Sequence, residues 1–139
     1  MIREIQLPSR IESVDQAAVE ADEFAKRCGF GDDFVSAIDL AIRESVANAV
    51  KHGNKFDAQK LVRITAEISK VEAKFTIEDE GEGFDVKNIP DPLDPENLFK
   101  TSGRGVLFIY NIMDEVQYND RGNRLTMVKK AHPDEEHTA

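Results

Sequence analysis

The stretch VRITAEISKVEAKFTIE, residues 62–78, is predicted to form two neighbouring β-strands. Apolar and polar residues alternate on both sides of a short polar junction at residues 69–72, as expected for half-buried strands. Strands joined by so short a junction form an antiparallel hairpin. The hairpin therefore presents one apolar face, which a second layer of secondary structure covers in a folded domain.

The segments before this hairpin are predicted to form helices. Apolar residues recur at helical spacing over residues 12–27 and again over residues 32–52. Asp32 or Asp33 can cap the first turn of the second helix. Gly53 and Asn54 are predicted to end it, where a left-handed residue is commonly needed.

The remaining segments complete the predicted fold. A strand over residues 2–7 comes first, and an irregular segment, residues 79–104, follows the hairpin. A helix over residues 105–113 and a second hairpin of residues 115–119 and 125–129 come next. We predict an α+β fold, a two-layer sandwich with helices packed on one face of a mixed, mostly antiparallel sheet. Residues 1–131 are expected to form one domain, and the polar residues 132–139 a disordered tail.

Composition excludes several classes of protein. The 139 residues suit one domain, and the net charge of −9 argues against a nucleic-acid binder. No apolar run reaches the length of a membrane helix, and the N-terminus lacks a signal-peptide pattern, so a cytoplasmic location is expected. The single cysteine, Cys28, cannot form an internal disulfide.

A line of polar residues runs along the second predicted helix. Glu44, Asn48 and His52 follow i, i+4, i+8 spacing and so share one face of a largely apolar helix, with Lys51 beside them. An Asn oxygen can ligate magnesium without adding charge. Glu44 can accept a proton from an attacking hydroxyl. A solvated polar stripe remains the alternative interpretation of this feature alone.

An acidic, glycine-containing loop follows the first hairpin directly. Gly81 and Gly83 let the backbone approach a flat ligand and adopt positive φ. Asp79 can accept a hydrogen bond from an exocyclic amine such as that of adenine. Taken alone, an ordinary acidic turn is an equally good interpretation.

A third motif precedes the third predicted helix. Thr101, Ser102, Gly103, Arg104 and Gly105 combine glycines with hydrogen-bond donors at a helix start, where backbone amides bind phosphate. The alternative is a flexible loop that leads into a helix. The sequence contains no Walker-type phosphate loop.

The order and spacing of these three motifs resemble those of the GHKL ATPases. Glu44 and Asn48 match the N box of that superfamily, Asp79 with the two following glycines matches the G1 box, and residues 103–105 match the G2 box. The chain is most similar to the bacterial anti-sigma-factor serine/threonine kinases, through residues 41–54, 79–85 and 105–116. The resemblance implies a Bergerat-type fold with ATP and Mg²⁺ as cofactors.

The resemblance also implies a role for each motif residue. Glu44 would be the catalytic base, Asn48 would ligate magnesium, Lys51 could approach phosphate, and Asp79 would bind the adenine amino group. For His52 we expect a structural role. The pocket and lid residues form a longer set: Gly81 and Gly83 would shape the base pocket, and Thr101, Ser102, Gly103, Arg104 and Gly105 would close over the phosphates.

Two functions are compatible with this resemblance. The first is a serine/threonine protein kinase that phosphorylates an anti-sigma-factor antagonist of the STAS type and also binds a sigma factor, as a homodimer. The alternative is a non-catalytic, ATP-dependent protein-binding switch. The presence of Glu44 favours retained chemistry, since a pure binding module needs no base. In either case the net charge of −9 permits a partner with a basic surface.

Overall fold

The computed structural model describes residues 1–81, 109 and 111–131. In chain order the described elements are β1 (Ile2–Pro8), α1 (Ile11–Arg27), α2 (Asp32–Asn48), a π-helical turn (Ala49–Gly53), β2 (Leu61–Ile68), β3 (Glu72–Glu78), β4 (Glu115–Tyr118) and β5 (Arg124–Lys130). Both predicted hairpins, β2–β3 and β4–β5, are present.

The five strands form one sheet in the order β1-β2-β3-β5-β4. Every pairing among these strands is antiparallel, where the sequence predicted a mixed and mostly antiparallel sheet. Ile64 stands opposite Ile77, and Phe75 stands opposite Met127. Because side chains alternate along each strand, this register brings the apolar residues of all the central strands to the same face.

Helices α1 and α2 cover that apolar face. Asp15 in α1 forms an ion pair with Arg43 near the end of α2, so the two helices run antiparallel. The core lies between the helices and the sheet, and its fully buried side chains include Phe34, Ile38 and Phe75. The predicted two-layer α+β fold is therefore confirmed.

Both ends of α2 differ in detail from the prediction. The N-cap residue is Gly31, and no side chain in the described part of the chain caps the helix start. Asp32 and Asp33 instead lie in the first turn, where their negative charge interacts favourably with the helix dipole. The prediction that one of them caps the helix is wrong.

The helical path of α2 continues through the π-helical turn to Gly53. The N–H of Asn54 donates to the carbonyl of Ala49 at 2.8 Å, which is the i→i+5 bond of a π-turn. Gly53 does not adopt the predicted left-handed conformation. Lys55 (φ 52°) and Phe56 (φ 61°) adopt it instead, directly after the helix end.

Part of the predicted organisation lies outside the described residues. Ile109, Asn111 and Ile112 are helical, within the predicted helix of residues 105–113. Residues 82–108 and the predicted tail, residues 132–139, are not described, so the domain limits stay a prediction. Among the described helices, none has the length and apolar character needed to cross a membrane.

Candidate functional site

The first part of the candidate site is the C-terminal half of α2. Glu44 and Asn48 lie one turn apart on this helix, and both are half-buried, next to the buried residues Ser45 and Val46. No hydrogen bond or ion pair joins either side chain to another described residue. A half-buried carboxylate and carboxamide in this state are suited to binding a polar ligand.

The π-helical turn carries the other two polar residues of the predicted line. Lys51 and His52 are both exposed. For His52, where a structural role was expected, the described part of the chain offers no hydrogen-bond partner. π-Helical turns are rare in proteins, but those that occur are often found at functional sites. This one directly follows Asn48, which agrees with a functional role for the end of α2.

The second part of the candidate site is Asp79, the residue that follows β3. Its Oδ1 accepts a hydrogen bond from the Gly81 N–H at 2.8 Å. Burial raises the pKa of the Asp79 carboxyl above its usual value, although the Gly81 N–H and the charge of Arg121 act in the opposite direction. A carboxylate removed from water in this way is a strong acceptor for a donor on a ligand.

The β4–β5 turn holds the backbone of Asp79. The Asp79 N–H donates to the carbonyl of Asn123 at 2.9 Å. In return, Asn123 Nδ2 donates to the Asp79 carbonyl at 3.3 Å. Arg121, in the same turn, donates to the carbonyl of Gly81 at 3.3 Å. The second hairpin therefore supports the loop that follows the first one.

Two glycines allow α2 and this loop to meet. A Cβ atom on Gly53 would lie 2.4 Å from Asp79 Cγ, and one on Gly81 would lie 2.1 Å from the Gly53 carbonyl oxygen. Neither glycine has a positive φ. Gly81 therefore allows the loop to approach the end of the helical segment, and it does not adopt the positive φ that was predicted. Its predicted approach to a flat ligand stays a prediction.

Asn54 is a residue of this region that the sequence did not identify as functional. It is buried, and it connects the end of the helical segment to the Asp79 loop and to Ser9, which lies between β1 and α1. The available signal was its place directly after Gly53, which was interpreted only as a helix stop. Arg121 and Asn123 lie between the two strands of the second predicted hairpin, and no function was predicted for either residue.

The remaining predicted site residues lie outside the described residues. These are Gly83 of the second motif and the whole of the third motif: Thr101, Ser102, Gly103, Arg104 and Gly105. Their roles stay predictions. In the described part of the chain, no three His, Cys, Asp or Glu side chains are grouped so that they could hold a metal ion.

The structure thus joins two of the three motifs. The end of the helical segment that carries Glu44 and Asn48 contacts the loop that carries Asp79 and Gly81, through Gly53. The Glu44 and Asn48 side chains, which have no partner among the described residues, and the half-buried Asp79 carboxylate can together bind a ligand that has both an amine edge and an anionic part.

Comparison with known proteins identifies the family. The model of the histidine kinase-like ATPase domain matches residues 7–129. The chain therefore belongs to the histidine kinase-like ATPase domain family. The resemblance to the GHKL anti-sigma-factor kinases, predicted from the motifs, is confirmed.

Individual relatives agree with this assignment. The serine-protein kinase RsbW of Staphylococcus epidermidis is 30% identical over 134 residues, which cover 91% of this chain and 84% of the relative. The RsbW serine-protein kinase of Oceanobacillus iheyensis is 27% identical over 139 residues, covering 96% of this chain and 88% of the relative.

A solved structure shows the same fold. The crystal structure of the RsbU and RsbW domains of a Mycobacterium tuberculosis protein matches 94% of this chain with a TM-score of 0.65 and 17% identity. This chain spans 32% of the length of that one. The likeness supports the two-layer architecture described above.

Proposed function

We propose that this protein is an ATP-binding anti-sigma regulatory factor that acts as a serine/threonine protein kinase. In this proposal it phosphorylates an anti-sigma-factor antagonist and also binds a sigma factor. The observation that carries the proposal is the half-buried Asp79 carboxylate, held against Gly53 at the end of the helical segment that bears Glu44 and Asn48. The names of the RsbW relatives, which are serine-protein kinases, support the assignment.

Asp79 would recognise the base of ATP. Its Oδ1 already accepts the Gly81 N–H, and its Oδ2 accepts no hydrogen bond from another described residue. Oδ2 is therefore suited to accept a hydrogen bond from the amino group of adenine. Gly81, and by the sequence resemblance Gly83, would leave room for the flat ring.

Asn48 and Lys51 would bind the phosphate end of ATP. The half-buried Asn48 would supply one oxygen to a magnesium ion. Magnesium commonly takes its other ligands from substrate phosphates and water. The exposed Lys51 could reach a phosphate, and residues 101–105 would close over the phosphates as a lid. The Mg²⁺ would offset negative charge on the phosphates.

Glu44 would act as the general base. It lies one turn before Asn48, so a hydroxyl that attacks the γ-phosphorus would come close to its carboxylate. Glu44 would take the proton of the serine hydroxyl as the new oxygen–phosphorus bond forms. The bond to the bridging β–γ oxygen breaks, and ADP leaves with the electron pair.

The proposed partners are proteins. They are an anti-sigma-factor antagonist of the STAS type as phosphate acceptor, a sigma factor as binding target, and a second copy of this chain. The net charge of −9 is compatible with a partner that has a basic surface. A protein with this function would work in the cytoplasm, where ATP is abundant.

The proposal is tested by phosphate transfer. The protein is incubated with γ-labelled ATP, magnesium and a candidate antagonist, and the antagonist is then analysed for phosphoserine. Transfer by the wild-type protein and its loss in Glu44→Gln, with ATP affinity retained, would support the kinase. ATP binding without transfer to any antagonist would instead identify a non-catalytic ATP-dependent switch.

A further inference from the structure

The side chain of Asn54 is 1% exposed, and all its polar atoms have partners. Its Nδ2 donates to Ser9 Oγ at 2.7 Å and to the Leu61 carbonyl at 3.1 Å. Its Oδ1 accepts from the Glu80 N–H at 2.8 Å. An inverted amide would set donor against donor at Glu80 and acceptor against acceptor at Leu61, so the amide has one stable orientation.

The hydrogen bond from the Glu80 N–H to Asn54 Oδ1 also restrains the backbone of Asp79, the residue before Glu80. The Glu80 N–H belongs to the peptide group that joins Asp79 to Glu80, so Asn54 fixes the plane of that group. The preceding peptide is held by the Asp79 N–H, which donates to the Asn123 carbonyl at 2.9 Å. The backbone of Asp79 is therefore restrained on both sides.

A side chain as short as that of Asp79 follows its backbone closely. The carboxylate lies against Gly53, and its Oδ1 is occupied by the Gly81 N–H. A tilt of the peptide after Asp79 would move the carboxylate from this place and change the direction of Oδ2. Hydrogen bonds weaken steeply when donor and acceptor are misaligned, so a small tilt would weaken recognition of a donor.

We propose that Asn54 is a positioning residue that gives Asp79 its selectivity for the purine base. The inference rests on the proposed ATP site. ATP carries an amino group at position 6 of the purine, which donates to a carboxylate, whereas ITP carries a carbonyl oxygen there, which repels one. The free energy of one hydrogen bond to a charged group, converted to a ratio of dissociation constants, predicts that the wild-type protein binds ATP about 10- to 100-fold more tightly than ITP.

The experiment compares dissociation constants for ATP and ITP, both with Mg²⁺, by isothermal titration calorimetry. Asn54→Ala should reduce the preference for ATP to less than about threefold and leave the affinity for ITP nearly unchanged. The side chain in Asn54→Ser is also too short to reach the Glu80 N–H, so this variant should show the same reduced preference for ATP. It replaces Asn54→Ala in the experiment if the alanine variant does not fold.

Ser9→Ala is the matched control. Ser9 is also 1% exposed, and it links Asn54 to the Lys60 carbonyl by a hydrogen bond of 2.7 Å. Its removal disturbs the same buried network but leaves Asn54 Oδ1 on the Glu80 N–H. Ser9→Ala should therefore lower the melting temperature while keeping the wild-type preference for ATP.

The possible results separate this inference from the proposed function. Wild-type selectivity in the Asn54 variants, or an equal loss of ATP and ITP affinity, would show a merely structural role and overturn the inference alone. A wild-type protein that binds neither nucleotide, or binds both equally, would overturn the proposed base recognition by Asp79 and this inference with it.

Discussion

The Cα of Gly53 lies directly against the carboxylate of Asp79, with no room for a methyl group between them. A Cβ atom at this position would be 2.4 Å from both Asp79 Cγ and Oδ2. This contact joins the end of the helical segment to the loop after β3. The absence of a side chain at Gly53 is therefore a requirement of the candidate nucleotide site.

We expect Gly53→Ala to displace the Asp79 carboxylate and to lower ATP affinity at least about tenfold, the equivalent of roughly 1.4 kcal/mol. The displaced carboxylate would lose its hydrogen bond to the Gly81 N–H. Calorimetric titration measures the affinity.

Gly31→Ala is the control for this substitution, because a Cβ on Gly31 meets no atom within 4 Å. It should leave ATP affinity unchanged, whereas stability should fall by up to about 1 kcal/mol because alanine is less favourable than glycine at a helix N-cap. Equal ATP affinity in Gly53→Ala and the wild-type protein would contradict the proposed base site.

We expect Asp79→Asn to remove the pH dependence of base recognition. In the proposed site the ionised carboxylate is the acceptor, and burial raises its pKa. The preference for ATP over ITP in the wild-type protein should therefore fall as the pH is lowered through that raised pKa. Since both nucleotides carry the same phosphates, the ratio of the two dissociation constants removes the effect of phosphate protonation.

The Asp79→Asn variant should show a small preference for ATP that stays constant over the pH range in which the wild-type preference changes. Calorimetric titrations across this range check the prediction. A wild-type preference that does not change with pH, or one that rises at acid pH, would count against Asp79 as the acceptor.

We expect Asn48→Ala to abolish magnesium-dependent nucleotide binding. The half-buried Asn48 would lose its ligand oxygen, and the remaining contacts to the base would not hold the phosphates. Titrations with ATP in the presence of Mg²⁺ and in EDTA measure the effect. Ser36→Ala, an exposed polar substitution on the same helix, should bind as the wild type does. Unchanged ATP affinity in Asn48→Ala would mean that the metal site lies elsewhere.

The carboxyl groups of Asp22 in α1 and Asp39 in α2 are expected to make the stability of the protein depend on pH. Burial, a hydrogen bond with Asp39 and the charge of Asp39 raise the pKa of Asp22 from 3.8 to about 7. Burial also acts on Asp39, but hydrogen bonds with Asp22 and Arg43 lower the pKa of that residue. Arg43 binds both Asp39 and Asp15, each at 2.9 Å, and Lys26 adds a further positive charge near Asp22.

The sign of the effect follows from the raised pKa of Asp22. The folded state binds a proton that the unfolded state releases above about pH 4, so this contribution to stability is lost as the pH rises through about 7. After a discount for solvent screening, we expect a loss of about 1–2 kcal/mol between pH 5 and pH 8. Thermal denaturation across this range measures it.

Asp22→Asn should stabilise the protein at pH 8 and flatten the dependence, because an amide can donate to Asp39 without carrying charge. Asp15→Asn removes an exposed carboxylate of the same cluster and is the control, which should keep the wild-type dependence on pH. An Asp22→Asn variant that is less stable than the wild type at pH 8 would refute this account.

Most of the fold could be predicted from the sequence because it depends on local periodicity. Alternation in β2 and β3 and helical spacing in α1 and α2 are properties of short windows, and all four elements were located within a few residues. The end of α2 could not be predicted in detail. A left-handed residue was expected at Gly53, but Lys55 and Phe56 adopt that conformation after a π-helical turn.

The sequence by itself determined the alternating strands, the polar pair Glu44 and Asn48 one turn apart, and an acidic loop after a strand, since each of these follows from neighbours along the chain. The tertiary structure alone decided that Gly53 meets Asp79 and that Asn54 holds the Glu80 N–H. These contacts join residues 26 positions apart, and they depend on how the helical layer lies on the sheet. The register of packed layers is a property of the whole core, which no short stretch of sequence contains.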